Sequence, residues 1–197
     1  MEATFVAKGL PVELTRLPFV ESSFNVLAES KVGASGIWQI MPVTGRQFLI
    51  VNNKIDERNS PLKATLAAAE ILKGNFRALK AWPLAVTAYN HGPTGIRRAL
   101  KMARVDNLTA LINKYYGGNF QFASANFYTS FLAVLHAEKY HNEIFTGDLL
   151  DDHKPLSHTV VALDKKLRFR DLAKKLMLPR DVLLSLNLDL RDAAKIN

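Results

Sequence analysis

Leu17-Pro18-Phe19-Val20-Glu21-Ser22-Ser23-Phe24-Asn25, followed after a short polar connection by Gly33-Ala34-Ser35-Gly36-Ile37-Trp38-Gln39-Ile40-Met41-Pro42-Val43-Thr44-Gly45-Arg46, is the stretch on which the chain is organised. Glu21 stands among Phe19, Val20 and Phe24. Apolar surroundings penalise a charged carboxylate and raise its pKa. An acid that keeps its proton near neutral pH can give it to a leaving group. Ser30, Ser35 and Gln39 lie beside the large apolar Trp38 and Met41. That mixture suits a cleft for sugars, whose ring faces pack on apolar side chains and whose polar groups are hydrogen-bonded.

Working outward, Leu10 to Leu14 reads as a short helix with Pro11 in its first turn, and Pro18 as an interruption or kink. Residues 25–35 read as a loop leading into a second short helix from about Ile37. Residues 48–60 read as a charged surface connection. Ser60-Pro61 signals a helix start, and Leu62, Leu66, Ala69, Leu72, Phe76 and Leu79 recur at helical spacing. Trp82-Pro83 opens another helix, which Asn90-His91-Gly92-Pro93 closes. A further helix after Pro93 exposes Arg97, Arg98, Lys101 and Arg104. Residues 124–145 are apolar on several faces, as expected of a central, buried helix. Gly147 to Pro155 reads as a linker. The fold class is therefore mainly α, with residues 1–150 as one domain and 151–197 as an appendage.

Glycosidic bond cleavage normally takes two carboxyl groups. Glu29, Asp56 and Glu57 are the other candidates, and all three read as solvated surface. His91 is read as a neutral, exposed side chain rather than a second acid or base. The five histidines have no metal-ligand spacing, so neither metal nor cofactor is expected.

Glu21-Ser22 followed by Gly36-Ile37-Trp38-Gln39-Ile40-Met41-Pro42, then Ala88-Tyr89-Asn90 and Asn126-Phe127-Tyr128, resembles the goose-type-lysozyme-like lytic transglycosylases of the bacterial cell wall. The membrane-bound lytic murein transglycosylase D group is the most similar, with Leu10 to Phe24 matching its opening pattern and the likeness covering roughly residues 9–145. The resemblance implies a lysozyme-like helical domain acting on peptidoglycan glycan strands. It implies one catalytic acid, Glu21, which protonates the bond between N-acetylmuramic acid and N-acetylglucosamine. Glu21 then acts as a base on the muramic 6-hydroxyl, closing a 1,6-anhydro ring. By position, Ser30 and Gln39 contact sugar acetamido groups and Met41 packs on a sugar face. Tyr89 orients Glu21 through a hydrogen bond, Asn90 holds the site loop, and Tyr128 is either a site aromatic or core. Trp38 is either a stacking face or core.

The tail differs in texture. His158 to Leu163 is β-prone, and Phe169–Leu176 and Pro179–Asn187 read as helices. This is similar to a degenerate LysM glycan-binding module without its Gly-Asp-Thr turn, or else it is a packing appendage.

The 197 residues are 48% hydrophobic, enough for a real core. With 26 Lys and Arg against 18 Asp and Glu, the formal charge is +8, which favours polyanions. The basic segment at Arg97–Arg104 has no interleaved aromatics for base stacking, so nucleic acid is not expected. Cysteine is absent, which excludes disulfides and thiolate chemistry. No run approaches the ~18 apolar residues of a membrane helix, so membrane association has no support. The resemblance implies the bacterial cell envelope, periplasmic or exported. The N-terminus lacks the basic start and apolar core of a signal peptide, so an export signal is expected to be removed or upstream. The oligomeric state is left open.

Overall fold

The computed structural model describes residues 1–115, 120–145, 162–165 and 167–190. The first helix, α1 (Glu2–Ala7), buries Phe5, whose ring stacks on Trp38 with centroids 5.7 Å apart. The short helix expected at Leu10–Leu14 is instead a 3₁₀ turn over Val12–Arg16, with Pro11 as its cap. Pro18 neither interrupts nor kinks the chain. It sits in the first turn of α2 (Leu17–Ser22), where its missing N–H has no intrahelical partner to lose. Two consecutive left-handed residues, Ser23 and Phe24, end α2 at once.

No helix forms at Ile37. Residues 28–41 fold into a tight loop closed by the bridges Glu29–Ser35 and Ser35–Ile40. Gln39 adopts a left-handed φ of 44°, which breaks any helical run there, and α3 (Pro42–Gly45) begins only at Pro42. Residues 48–60 are a surface connection only in part: Asn52, Asn53 and Lys54 are exposed. The segment holds a 3₁₀ turn, Glu57–Asn59, and Asp56 and Arg58 are almost wholly buried.

Ser60 caps α4 (Pro61–Leu79), as expected, and Pro61 fills its first turn. Ala64, Ala67 and Ala68 keep one face of α4 small, and Leu72 is fully buried, a burial worth ~1.5–3 kcal/mol for such a side chain. That small face lets α5 (Trp82–His91) pack closely on α4. Five consecutive residues of α5, Leu84 to Ala88, are buried, so α5 is the helix that is apolar all round and central. Val86 joins the α1–α2–α4 core, while Leu84 and Ala88 join a second core. That second core is built with α6 (Pro93–Ala103) and α7 (Leu108–Lys114).

The helix expected to be central, α8 (Phe122–Lys139), buries only Ser124, Phe127 and Phe131 and leaves Leu132 exposed. It packs across α2 and α5, with Ala125, Tyr128 and Leu135 partly buried against the cores, while Phe122 and Leu132 lie on faces that nothing among the described residues covers. The short α9 (His141–Ile144) comes next. No helix of the described residues is long and apolar enough to cross a membrane.

In the tail, α10 (Phe169–Leu176) and α11 (Arg180–Ser185) enclose a small cluster of Phe169, Ala173 and Leu183. The linker and most of the β-prone segment at 158–163 lie outside the described residues. Leu190 forms a bridge with Ile55, the Asp56 N–H donates to the Asp189 carbonyl at 2.7 Å, and Lys63 Nζ donates to the Asp189 carboxylate. The tail end therefore docks behind the Asp56–Arg58 turn.

Candidate active site

Glu21 lies near the end of α2, half-buried. Burial pushes its carboxyl up to about 8, and it is the single cause. No hydrogen bond or ion pair reaches this carboxyl from the described residues, and no second acid contributes to the shift. The acid is therefore protonated at neutral pH and free to act. Among the described residues, Phe24 and Gln39 are the two non-glycine residues with positive φ that are not helix caps. Both belong to the segments around Glu21, and such strain concentrates at functional sites.

Two hydrogen bonds fix α2 and α5 to the Gly36–Ile40 turn. Ser22 Oγ donates to the Ile37 carbonyl at 2.8 Å, and Tyr89 Oη donates to the Trp38 carbonyl at 2.8 Å. Tyr89 thus does not hydrogen-bond Glu21 as the sequence led us to expect. The two are close enough that the Glu21 charge raises the Tyr89 phenol, after burial as the larger cause. Trp38 is core: it is fully buried, stacks on Phe5, and donates Nε1–H to Thr65 Oγ1 at 3.0 Å.

Gln39 and Ser30 share the 28–41 loop. Gln39 donates both amide hydrogens to backbone, to the Ala28 carbonyl at 3.1 Å and the Gly36 carbonyl at 2.9 Å. That leaves its Oε1 as an acceptor. Ser30 Oγ accepts from the Ala34 N–H at 2.9 Å, and its own hydrogen has no partner among the described residues. Met41 is partly exposed at the loop's end, just before Pro42.

Asn90 points elsewhere. Its Oδ1 accepts from Ser124 Oγ at 3.0 Å, and His91 Nδ1 is 3.1 Å from the same hydroxyl. Burial lowers the His91 pKa, so His91 is neutral, as expected, but it is bonded and half-buried rather than exposed. Tyr128 is half-buried against both cores, one turn after Ser124 on α8. Among the described residues, no group of three or more His, Asp or Glu converges as a metal site.

Sequence reading missed what supports the loop. The Arg58 guanidinium donates to both Asp56 carboxylate oxygens, at 2.8 and 2.7 Å. It also donates to the Gly33 and Ile40 carbonyls, at 2.6 and 2.8 Å. Ser35 Oγ donates to Asn59 Oδ1 at 2.6 Å. Gly36, at φ +74°, rests directly on the Arg58 carbonyl, where a Cβ would collide. Asp56 is thus no candidate second acid, because it is sealed in this pair. Glu57 accepts from the Ile50 N–H and pairs with Lys63, and Glu29 is exposed.

Membrane-bound lytic murein transglycosylase D of Escherichia coli strain K12 is 38% identical over 96 residues, 48% of this chain and 21% of that protein. A putative tributyltin chloride resistance protein of Alteromonas sp. strain M-1 is 32% identical over 95 residues, 47% of this chain and 46% of its own length. The chain thus spans about a fifth of the first relative and under half of the second. The X-ray structure of lytic transglycosylase Slt from Pseudomonas aeruginosa, solved as an inactive glutamate-to-glutamine mutant, superposes with a TM-score of 0.56 at 23% identity. It covers 71% of this chain and 23% of that one, a likeness that carries the lysozyme-like fold alone. The transglycosylase SLT domain profile matches residues 4–111, from α1 into α7, and the chain therefore belongs to the transglycosylase SLT domain family.

Proposed function

We propose that the chain is a peptidoglycan lytic transglycosylase that cleaves the β-1,4 bond from N-acetylmuramic acid to N-acetylglucosamine and leaves a 1,6-anhydro-muramic end. The observation that carries this reading is the Glu21 carboxyl, pushed up to about 8 by burial, with no second acid among the described residues contributing to the shift. Glu21 gives its proton to the glycosidic oxygen as the bond from that oxygen to the muramic C1 breaks. The resulting carboxylate takes the proton of the muramic 6-hydroxyl, and that oxygen bonds to C1. One group serves both proton transfers, and no water is consumed. Because the 6-hydroxyl is tethered to the reacting ring, the step is effectively intramolecular. The inactive Slt mutant, with Gln in place of Glu, is consistent with one indispensable carboxyl in a relative.

The free valences of the loop suit an acetamido group. Ser30 has a hydroxyl hydrogen to give to its carbonyl, and Gln39 Oε1 can accept its N–H. Met41 supplies the exposed apolar surface for a ring face. Tyr89 acts through Trp38, by holding the turn that carries Gln39. We read residues 1–150 as the catalytic unit and the tail as an appendage docked behind it, with the envelope as the place of action.

The product decides the reaction. Digestion of purified murein sacculi is expected to give fragments ending in 1,6-anhydro-N-acetylmuramic acid, each one water lighter than its hydrolytic counterpart by mass spectrometry. Mainly reducing-end muramic acid would make this a muramidase. Binding to sacculi without cleavage would make it a silent glycan-binding protein.

Tyr89→Phe tests the indirect role. The ring still packs, while the Trp38 carbonyl loses a donor worth ~0.5–1.5 kcal/mol. We expect a rate several-fold to roughly tenfold below wild type, on the scale of one such bond, with the pH profile unmoved because Glu21 keeps its surroundings. An unchanged rate would reduce Tyr89 to core packing, and a displaced pH profile would restore the direct contact with Glu21.

A further inference from the structure

We propose that the cavity between α5, α6 and α8 is a carboxylate-binding subsite for the glycan strand, with Arg98 as its anchor. The proposal rests on the transglycosylase reading and extends it to what the enzyme recognises beside the scissile bond. The cavity has a volume of about 380 Å³ and is lined by Asn90, His91, Arg98, Tyr115, Phe120 and Ser124, among others. It is lined by Asn90, the residue after Tyr89 on α5, and does not include Glu21.

Its polar wall is built. Ser124 is 6% exposed, and its hydroxyl hydrogen goes to Asn90 Oδ1. The Ser124 oxygen must then accept the hydrogen of His91 Nδ1, which fixes the imidazole tautomer. The His91 ring stands edge-on to Phe120 with centroids 5.3 Å apart. Gly95 leaves room for that ring, since a Cβ at this position would come within 2.6 Å of it. With Oδ1 occupied, the Asn90 amide hydrogens have no partner among the described residues.

Arg98 supplies the charge. It lies three residues beyond Gly95, on the same face of α6. It has no hydrogen bond or ion pair among the described residues. Tyr115 and Phe120 also border the cavity. Exposed Arg97, Lys101 and Arg104 on the same helix add positive potential around it. A guanidinium has five donors and no acceptor, and its fork matches a carboxylate. Peptidoglycan offers carboxylates from two sources: the lactyl group of a muramic residue stripped of peptide, and the stem peptide itself.

The test is binding of small fragments to the full chain, read by calorimetry. The probes are N-acetylmuramic acid, with its lactyl carboxylate; a muramyl dipeptide, with a peptide carboxylate; and N-acetylglucosamine, with neither. At least one acidic probe is expected to bind more tightly than N-acetylglucosamine, and which one identifies the source. Arg98→Gln should weaken that probe by roughly tenfold or more, as for loss of a charge-assisted hydrogen bond, and leave N-acetylglucosamine unchanged. Arg98→Lys should restore part of the affinity. Gly95→Ala, which pushes His91 from its place, should weaken the acidic probe as well. Equal affinity for all three probes, or acidic-probe binding indifferent to Arg98→Gln, would overturn the proposal. Because binding is read without turnover, failure of the wild-type chain to cleave sacculi would sink the transglycosylase reading by itself.

Discussion

Glu21→Gln is expected to lower turnover of sacculi by at least ~10²–10⁴-fold, the usual worth of general acid–base catalysis, because one carboxyl serves both proton transfers. Gln fills the same space and can neither give nor take the proton. The wild-type rate should fall as pH rises through about 8, where Glu21 loses its proton. Stability falls with rising pH in the same direction as activity, whereas the substitution itself lowers activity and raises stability. The Glu21 carboxyl rises from an ordinary 4.5 to about 8 in the fold, so between those values the unfolded chain binds fewer protons than the native one. Stability must then decline as pH rises through that window. Gln does not titrate, so the variant should melt at a higher temperature than wild type at pH 8 and above, and the gain should shrink toward pH 4.5. Retention of more than about a tenth of wild-type rate, well inside that range, would remove Glu21 from the mechanism. A melting difference independent of pH would remove the buried proton.

The apolar neighbours in sequence, Phe19, Val20 and Phe24, pointed to a raised Glu21 carboxyl, and burial raises it to about 8, although Phe19 itself is half exposed. The α4 and α5 helices were legible for the same kind of reason, with Ser60-Pro61 and Trp82-Pro83 as start signals. What was not legible depends on partners far away in sequence. Residues 36–40 look helical until Arg58 takes the Ile40 carbonyl and Gln39 turns left-handed. Asp56 and Arg58 look like solvated charges, because a charge run usually is one, and nothing nearby announces their burial. Tyr89 donates to the Trp38 carbonyl, 51 residues away in sequence, rather than to Glu21. The excess of apolar residues on α8 signals burial, yet only the face toward α2 and α5 is covered among the described residues.

The Asp56–Arg58 pair carries the second large expectation. Arg58 satisfies two loop carbonyls and a carboxylate from a site that is 2% exposed. Arg58→Met keeps much of the volume but leaves the Asp56 carboxylate buried without its guanidinium, and the Gly33 and Ile40 carbonyls without their donor. Breaking a buried pair in this way costs about 3–5 kcal/mol, a large share of the ~5–15 kcal/mol that holds a domain together. The loop that presents Ser30 and Gln39 loses its clamp in the same step. We therefore expect a steep fall in melting temperature together with a raised KM and lowered kcat, measured well below the melting point. Asp56→Asn combined with Arg58→Met removes the buried charge that has lost its guanidinium and should recover part of the stability. It should recover little of the activity, because neither side chain then reaches the two carbonyls. If Arg58→Met alone melted within about 1 kcal/mol of wild type, far below that range, the pair would be incidental to the fold. If the double variant regained full activity, the clamp on the loop would have no part in catalysis, and Arg58 would be a stabilising residue only.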